Sequence, residues 1–348
     1  MSEPRVTRHP LVELTLARVK EFVREPEAVF WVLVFPIVLA FALGIAFRTK
    51  GDEPVYAGVM AGRGSAEVAA ALSGAPGIRA RVVEPDQADR ALRNGAVQVV
   101  VIPGPPPTYR FDPTRPESRL ARLAVDGALQ TMAGRADRFT PGEQAMQVIG
   151  SRYIDWLIPG LLGMNIMGTG MWGIGFAIVW ARTKHLLKRF AATPMSRSHY
   201  LLAHILARMV FLGVEVGALL LFARLAFSVS SRGSLLLVGG VAVAGSLAFG
   251  GLSLLVASRA RTIEAVSGWM NAVMLPMWVL SGVFFSSANF PAAMQPLIRA
   301  LPLTALIDAF RAVMLDGASI PGIARELLTL VAWTLVSFAI ALRVFRWK

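Results

Sequence analysis

Long apolar runs separated by short polar breaks fill most of the chain. They lie at 28–47, Ile154–Ala181, Leu201–Phe227, Leu235–Ala257, from Glu264 to about Phe285, and Ile323–Leu342. A bilayer's hydrocarbon core takes about 20 apolar helical residues to cross, so this pattern predicts six transmembrane helices. The first run follows a structured lead and is longer than the apolar core of a signal peptide, which predicts a retained anchor. In residues 1–27, Pro10–Glu25 has helical periodicity, with Val12, Leu16, Val19, Phe22 and Val23 on one face and Glu13, Lys20 and Arg24 on the other. A helix this short and this polar belongs in the membrane interface.

Residues 48–152 change character. Strand-like runs at Val55–Met60, Ile78–Val83, Val97–Ile102 and Thr108–Phe111 alternate with helical stretches at Ser65–Leu72, Pro85–Asn94 and Glu117–Arg138. Alternation of this kind predicts a small α/β domain. The fold class expected is therefore a mainly α-helical polytopic membrane protein of six spans, with a small α/β extracytoplasmic domain between spans one and two. Residues 153–348 hold spans two to six. Within them, 288–319 is apolar but broken by Pro291, Pro296 and Pro302. Its helical part, Leu303–Leu315, is too short to span and predicts a re-entrant or interfacial helix.

Composition agrees with the pattern. Hydrophobic residues make up 55% of the chain and charged residues 16%, against about 25% charged in soluble proteins. The net charge of +13 does not point to nucleic acid, because the basic residues sit beside apolar runs. Arg5, Arg8, Arg18, Lys20 and Arg24 precede span one, while Arg182, Lys184, Lys188, Arg189 and Arg197 follow span two. Arg259 and Arg261 lie between spans four and five, and Arg343, Arg346 and Lys348 close the chain. By the positive-inside rule these segments and both termini face the cytoplasm, where membrane lipids hold them.

Candidate chemistry is sparse. There is no cysteine, hence no disulfide or thiolate site, and no histidine lies between His9 and His185. No catalytic or metal constellation is visible. Gly168, Gly170 and Gly173 formally satisfy G-x-G-x-x-G, but their apolar flanks are not those of a dinucleotide fold; close helix packing explains them. No phosphate-binding G-x-x-x-x-G-K-[ST] loop occurs. Polar residues inside apolar runs are costly and face a partner or a wet path. Arg208 and Glu215 stand seven apart on one face of span three, with His204 a turn earlier, and Asn271 lies inside span five. Glu215 suits a polar element of a transport pathway as well as a pairing between helices. Arg208 is near enough to the helix end to snorkel.

The segment KRFAATPMSRSHYLLAHILAR, residues 188–208, resembles the first cytoplasmic loop of permease subunits of ABC-2 type exporters. Lys188, Arg189, Ala192, Thr193, Pro194, Met195 and Ser196 carry the likeness. ALPLTALIDAFR resembles the segment before that family's last span through Leu303, Thr304, Asp308, Ala309 and Arg311, although Leu301 stands where a polar residue is common. DQADRALRNGAVQVVVIP is similar to the family's domain between spans one and two. The resemblance implies that 182–200 is a coupling loop docking on a separate ABC ATPase subunit, with ATP and Mg bound on that partner and no cofactor on this chain. It also implies pairing with a second copy or a related permease in a bacterial cytoplasmic membrane. The cargo would be a drug-, antibiotic- or lipid-like amphiphile moved outward, and the chain itself would not be an enzyme. A secondary transporter would need its own ion site, commonly in repeated halves, and no internal repeat is visible. A membrane-anchored receptor or scaffold would explain the soluble insert but not so many spans.

Overall fold

The computed structural model describes residues 15–16, 19–20, 23–47, 54–135, 142, 150, 152–183, 197–260 and 262–344, without side chains at 181–182 and 197–206. Most of the expected interfacial helix Pro10–Glu25 lies outside the described residues. So do the loop residues Lys188, Arg189, Ala192, Thr193, Pro194, Met195 and Ser196, and the side chain of His204. The chain divides into two compact units, residues 49–146 and the remainder.

The membrane unit begins with α1, Pro26–Ala46, which widens into a π-helical turn at Phe30–Val34 just before Pro36. Its buried stripe is Pro36, Ala40 and Gly44, spaced by four. Small residues there let the helix approach closely: a Cβ on Gly44 would lie 2.6 Å from the Phe227 ring and 3.0 Å from Ile154.

In the second unit, chain order is β1 (Val55–Met60), α2 (Ser65–Gly74), β2 (Ile78–Val83), α3 (Pro85–Arg93), β3 (Val99–Ile102), β4 (Thr108–Phe111) and α4 (Pro116–Met132). The strands form one mixed sheet in the order β2-β1-β3-β4. β1 runs parallel to β2 (Val55 opposite Ile78) and to β3 (Ala57 opposite Val99), while β4 returns antiparallel with Phe111 opposite Val99. One face of the sheet, Ala57, Val59, Val99 and Val101, is covered by Leu72 of α2 and by Ala121 and Val125 of α4. On the other face Val83 and Val100 pack with Val97 and with Ala88 of α3. Burial on both faces explains why the central strands read as near-continuous apolar runs.

At two of the boundaries that differ from the sequence expectation the physical cause is visible. β3 starts at Val99 and not Val97, because the Gln98 side-chain oxygen accepts from the Tyr56 backbone amide at 3.0 Å while the Gln98 backbone amide donates to the Tyr56 carbonyl at 2.8 Å. α4 ends at Met132 and not Arg138, because Gly134 adopts φ +93, the left-handed turn that commonly closes helices.

Tyr109 of β4 donates its hydroxyl to Asp126 of α4 at 2.8 Å. Burial first, then the Asp126 hydrogen bond and charge, push that hydroxyl from the ordinary 10 up to about 12. Tyr109→Phe is expected to cost about 1 kcal/mol, read as roughly fivefold faster hydrogen exchange across β3 and β4. The raised value also sets a pH window. The bond's contribution is complete below about pH 10 and is lost as pH climbs toward 12, since the unfolded chain ionises first.

The remaining helices are α5 (Tyr153–Thr183), α6 (Arg197–Phe227), α7 (Leu235–Arg259), α8 (Ile263–Leu280), α9 (Gln295–Ala300), α10 (Pro302–Met314) and α11 (Ala324–Val344). With α1, five of these are long and apolar enough to cross a membrane: α5, α6, α7, α8 and α11 with its leading turn. α5 is the centre of the unit, with Leu157, Ile158, Leu161, Ile166, Met167 and Met171 fully buried. α10 is short, yet it is buried along most of its length, from Pro302 to Met314. It packs where glycines make room. Added Cβ atoms would come within 2.6 Å of Ile307 at Gly163 of α5 and within 2.6 Å of Leu306 at Gly245 of α7. In the GTGMWG stretch, Gly170 serves such an approach, 2.9 Å from the Phe249 Cβ, whereas Gly168 and Gly173 face nothing within 4 Å.

Candidate functional site

The helices on either side of the basic loop, α5 and α6, are joined within the apolar zone by a polar cluster. Arg208 of α6 donates Nη2 to Thr169 Oγ1 of α5 at 2.7 Å and Nε to Ser246 Oγ of α7 at 3.3 Å. The same Nη2 lies 3.4 Å from Glu215 Oε1, two turns further along α6. Thr169 Oγ1 is also 3.2 Å from that Glu215 oxygen and 2.9 Å from the Asn165 carbonyl. With one hydroxyl proton to give, Thr169 serves one of these acceptors at a time. Glu215 is 2% exposed and Ser246 4%, and among the described residues Glu215 Oε2 has no hydrogen-bond partner.

Sequence spacing places Arg208 and Glu215 on one helix face, and the structure makes them an ion pair. Thr169 and Ser246, which complete the cluster, are not distinguished by spacing. The one available signal was that both are hydroxyls in otherwise apolar runs. A buried charge needs hydrogen bonds as well as a counter-ion, and these hydroxyls provide them. Arg208 therefore faces neighbouring helices and does not snorkel to an end. Asn271 is not part of the cluster: it lies on the exposed side of α8, with Gly268, Ala272 and Leu275.

The second group of sequence candidates lies on α10. Leu303 is buried toward Gly163 and Thr304 is 1% exposed. Asp308 and Arg311 pair at i, i+3, but loosely, at 3.9 Å, with the Asp308 side chain 46% exposed. The firmer contacts of Arg311 are with other elements. Its guanidinium stands 3.7 Å over the Trp156 ring of α5, and Nη2 donates to the Gly282 carbonyl at 2.5 Å. Gly282 has φ +78, a left-handed turn at the end of α8 that suits glycine. A cation over an indole gains energy when desolvated, so Arg311 ties α10 to the ends of α5 and α8. Nearby, Arg152 makes a 2.7 Å bond to the buried Asp155 and a 3.0 Å bond to the Phe227 carbonyl, bracing α5 against the end of α6. Among the described residues no three His, Asp or Glu side chains gather as a metal site would require.

Six membrane-length helices around a polar-clasped core, with a mixed α/β unit inserted after the first, define a multi-pass membrane protein. Residues 27–343 match the family described as ABC-2 family transporter protein, and the chain belongs to that family. It is thus a membrane transporter subunit, of a family whose members carry no ATPase domain of their own. It is 32% identical to nodulation protein J of Neorhizobium galegae over 113 residues, 32% of this chain and 43% of that protein. It is 24% identical to inner membrane transport permease YadH of Escherichia coli strain K12 over 207 residues, 60% of this chain and 78% of the permease. Nodulation protein J of Rhizobium meliloti matches at 31% over 100 residues, 29% of this chain and 38% of that protein. The chain spans less than half the length of both nodulation relatives.

Proposed function

We propose that this chain is the permease subunit of an ATP-driven exporter in a bacterial inner membrane, paired with a second copy of itself or a related permease. A separate ABC ATPase carrying ATP and Mg docks on residues 182–200 from the cytoplasm. Both termini lie on that side, and residues 48–152 lie outside. The cargo is an amphiphile of drug, antibiotic or lipid type, moved outward. The observation that carries this reading is the cluster of Thr169, Arg208, Glu215 and Ser246. It binds the two helices that flank the loop to each other and to α7, so that force applied at the loop moves α5, α6 and α7 as one block. Coupling requires such contacts, because a partner shifts an equilibrium only by what differs between the two states.

Arg208 and Glu215 are structural members of that block. Asn271 faces outward from its own protomer, where an amide in hydrocarbon is costly, and so belongs against the second copy or along the pathway. Leu303, Thr304, Asp308 and Arg311 fix α10 at the opposite end from the loop. Lipid tails cover the exposed apolar side chains, Trp31, Phe41 and Leu236 among them. The test is recovery of the tagged chain from membranes in mild detergent. A stoichiometric soluble ATPase is expected to come with it. Its absence across several detergents would overturn the reading.

A further inference from the structure

Span one, α1, carries a defect that its own sequence creates and that another helix repairs. Pro36 has no amide proton for the carbonyl one turn back, that of Val32, and its ring crowds that carbonyl. The helix responds by widening: across Phe30–Val34 it follows a π path, with the Phe35 amide reaching back to the Phe30 carbonyl. Wide turns of this kind are sites of bending. In hydrocarbon no water is at hand, so a carbonyl turned out of the helix needs a protein donor. Asn165 of α5, 9% exposed, provides it, donating Nδ2 to the Val32 carbonyl at 3.0 Å.

Position within the fold makes this contact more than a repaired bond. Beyond it, α1 meets the membrane unit through the apolar stripe Pro36, Ala40 and Gly44, all on the later side of the wide turn. Asn165 also adjoins the polar cluster, because its carbonyl lies 2.9 Å from the Thr169 hydroxyl that contacts Glu215. The first turns of α1 are therefore separated from the packed half by a weak point, where a side chain of α5 holds the Val32 carbonyl and the wide turn also lies against α6. Relaxing one π turn to an α turn removes one residue's offset. That rotates the segment ahead of it by about 100° and moves it by about 1.5 Å.

We propose that Asn165 is a positioning residue for transport: by holding the Val32 carbonyl, it sets how far the first turns of span one swing about the hinge made by Pro36. The assignment to transport rests on the permease reading above, whereas the hinge and its restraint are properties of this chain alone. The test is accordingly made on the chain alone.

The protein lacks cysteine, so Glu27→Cys and Arg259→Cys, both at exposed positions, accept spin labels without background. Distances between them are measured by pulsed electron resonance on the full chain in nanodiscs. Asn165→Leu, which keeps the volume and removes the donor, is expected to at least double the width of the distance distribution. Pro36→Ala, which restores the missing amide, is expected to narrow the distribution below that of the parent, with or without Asn165→Leu. Asn165→Leu with a lowered thermal midpoint and an unchanged width would mean a bond that only stabilises, and would overturn the proposal. So would a Pro36→Ala distribution as broad as the parent's. Neither outcome depends on an ATPase partner, so failure here is distinct from failure of the permease reading.

Discussion

Arg208→Ala, with Glu215 left in place, is expected to prevent stable assembly of the membrane unit. The guanidinium is the hub for Thr169, Ser246 and Glu215, and its removal leaves a carboxylate that is 2% exposed with a threonine hydroxyl as its remaining contact. Breaking a buried pair from one side costs about 3–5 kcal/mol, a large part of a typical stability of about 5–15 kcal/mol. Removing both charges is different. Arg208→Met with Glu215→Leu leaves no uncompensated charge, and such replacements are often neutral or stabilising. The single variant should therefore aggregate or lose its thermal transition in detergent, while the double variant elutes as the parent does. Equal stability of Arg208→Ala and the parent would show that the cluster holds nothing together. A double variant that assembles but no longer stimulates the proposed ATPase partner would assign the charges to the pathway as well as to packing.

The second large effect concerns the loop. Lys188→Ala, Arg189→Ala and Pro194→Ala combined are expected to abolish ATPase stimulation and recovery of the partner, with insertion in the membrane unchanged. On the permease reading proposed above, Lys188 and Arg189 supply the positive charge of the docking loop, and Pro194 is the residue in it that interrupts helical continuation. Losing a central contact worth about 2 kcal/mol weakens binding about thirtyfold, and three together exceed what a transient complex tolerates. Stimulation that survives the triple change would remove this loop from the coupling path.

The hydrophobic pattern alone locates the spans well. The run at 28–47 corresponds to α1, Pro26–Ala46, and Leu235–Ala257 to α7, Leu235–Arg259. Length and hydropathy decide these elements without reference to partners. The strands were readable for the same local reason. Among the site residues, helical period alone puts Arg208 and Glu215 on one face, and the structure brings them together as a pair. Its completion by Thr169 and Ser246 depends on which helices adjoin at which depth, and no local rule fixes that. Arg311 illustrates the limit more sharply. The sequence offers Asp308 three residues away, yet the closer partners are Trp156, far back in the chain, and a carbonyl at Gly282. Backbone acceptors have no sequence signature. Asn165 lies between these cases: Pro36 announces that Val32 lacks a donor, but not who supplies one.

The short helix α10 bears on how the protein is made. Its 13 residues extend about 20 Å at 1.5 Å each, short of the roughly 30 Å a bilayer core presents, so it has no stable place in lipid by itself. What it fits is a socket between α5 and α7, cut to shape by Gly163 and Gly245 opposite Ile307 and Leu306. Both walls of that socket leave the ribosome before α10 does. The order of synthesis thus presents the receptacle ahead of the plug, and α11 arrives last to close over it. A circular permutant that emits α10 first would deliver an apolar segment with nowhere to go, and would be a substrate for quality-control proteases although every contact of the finished molecule remained encoded.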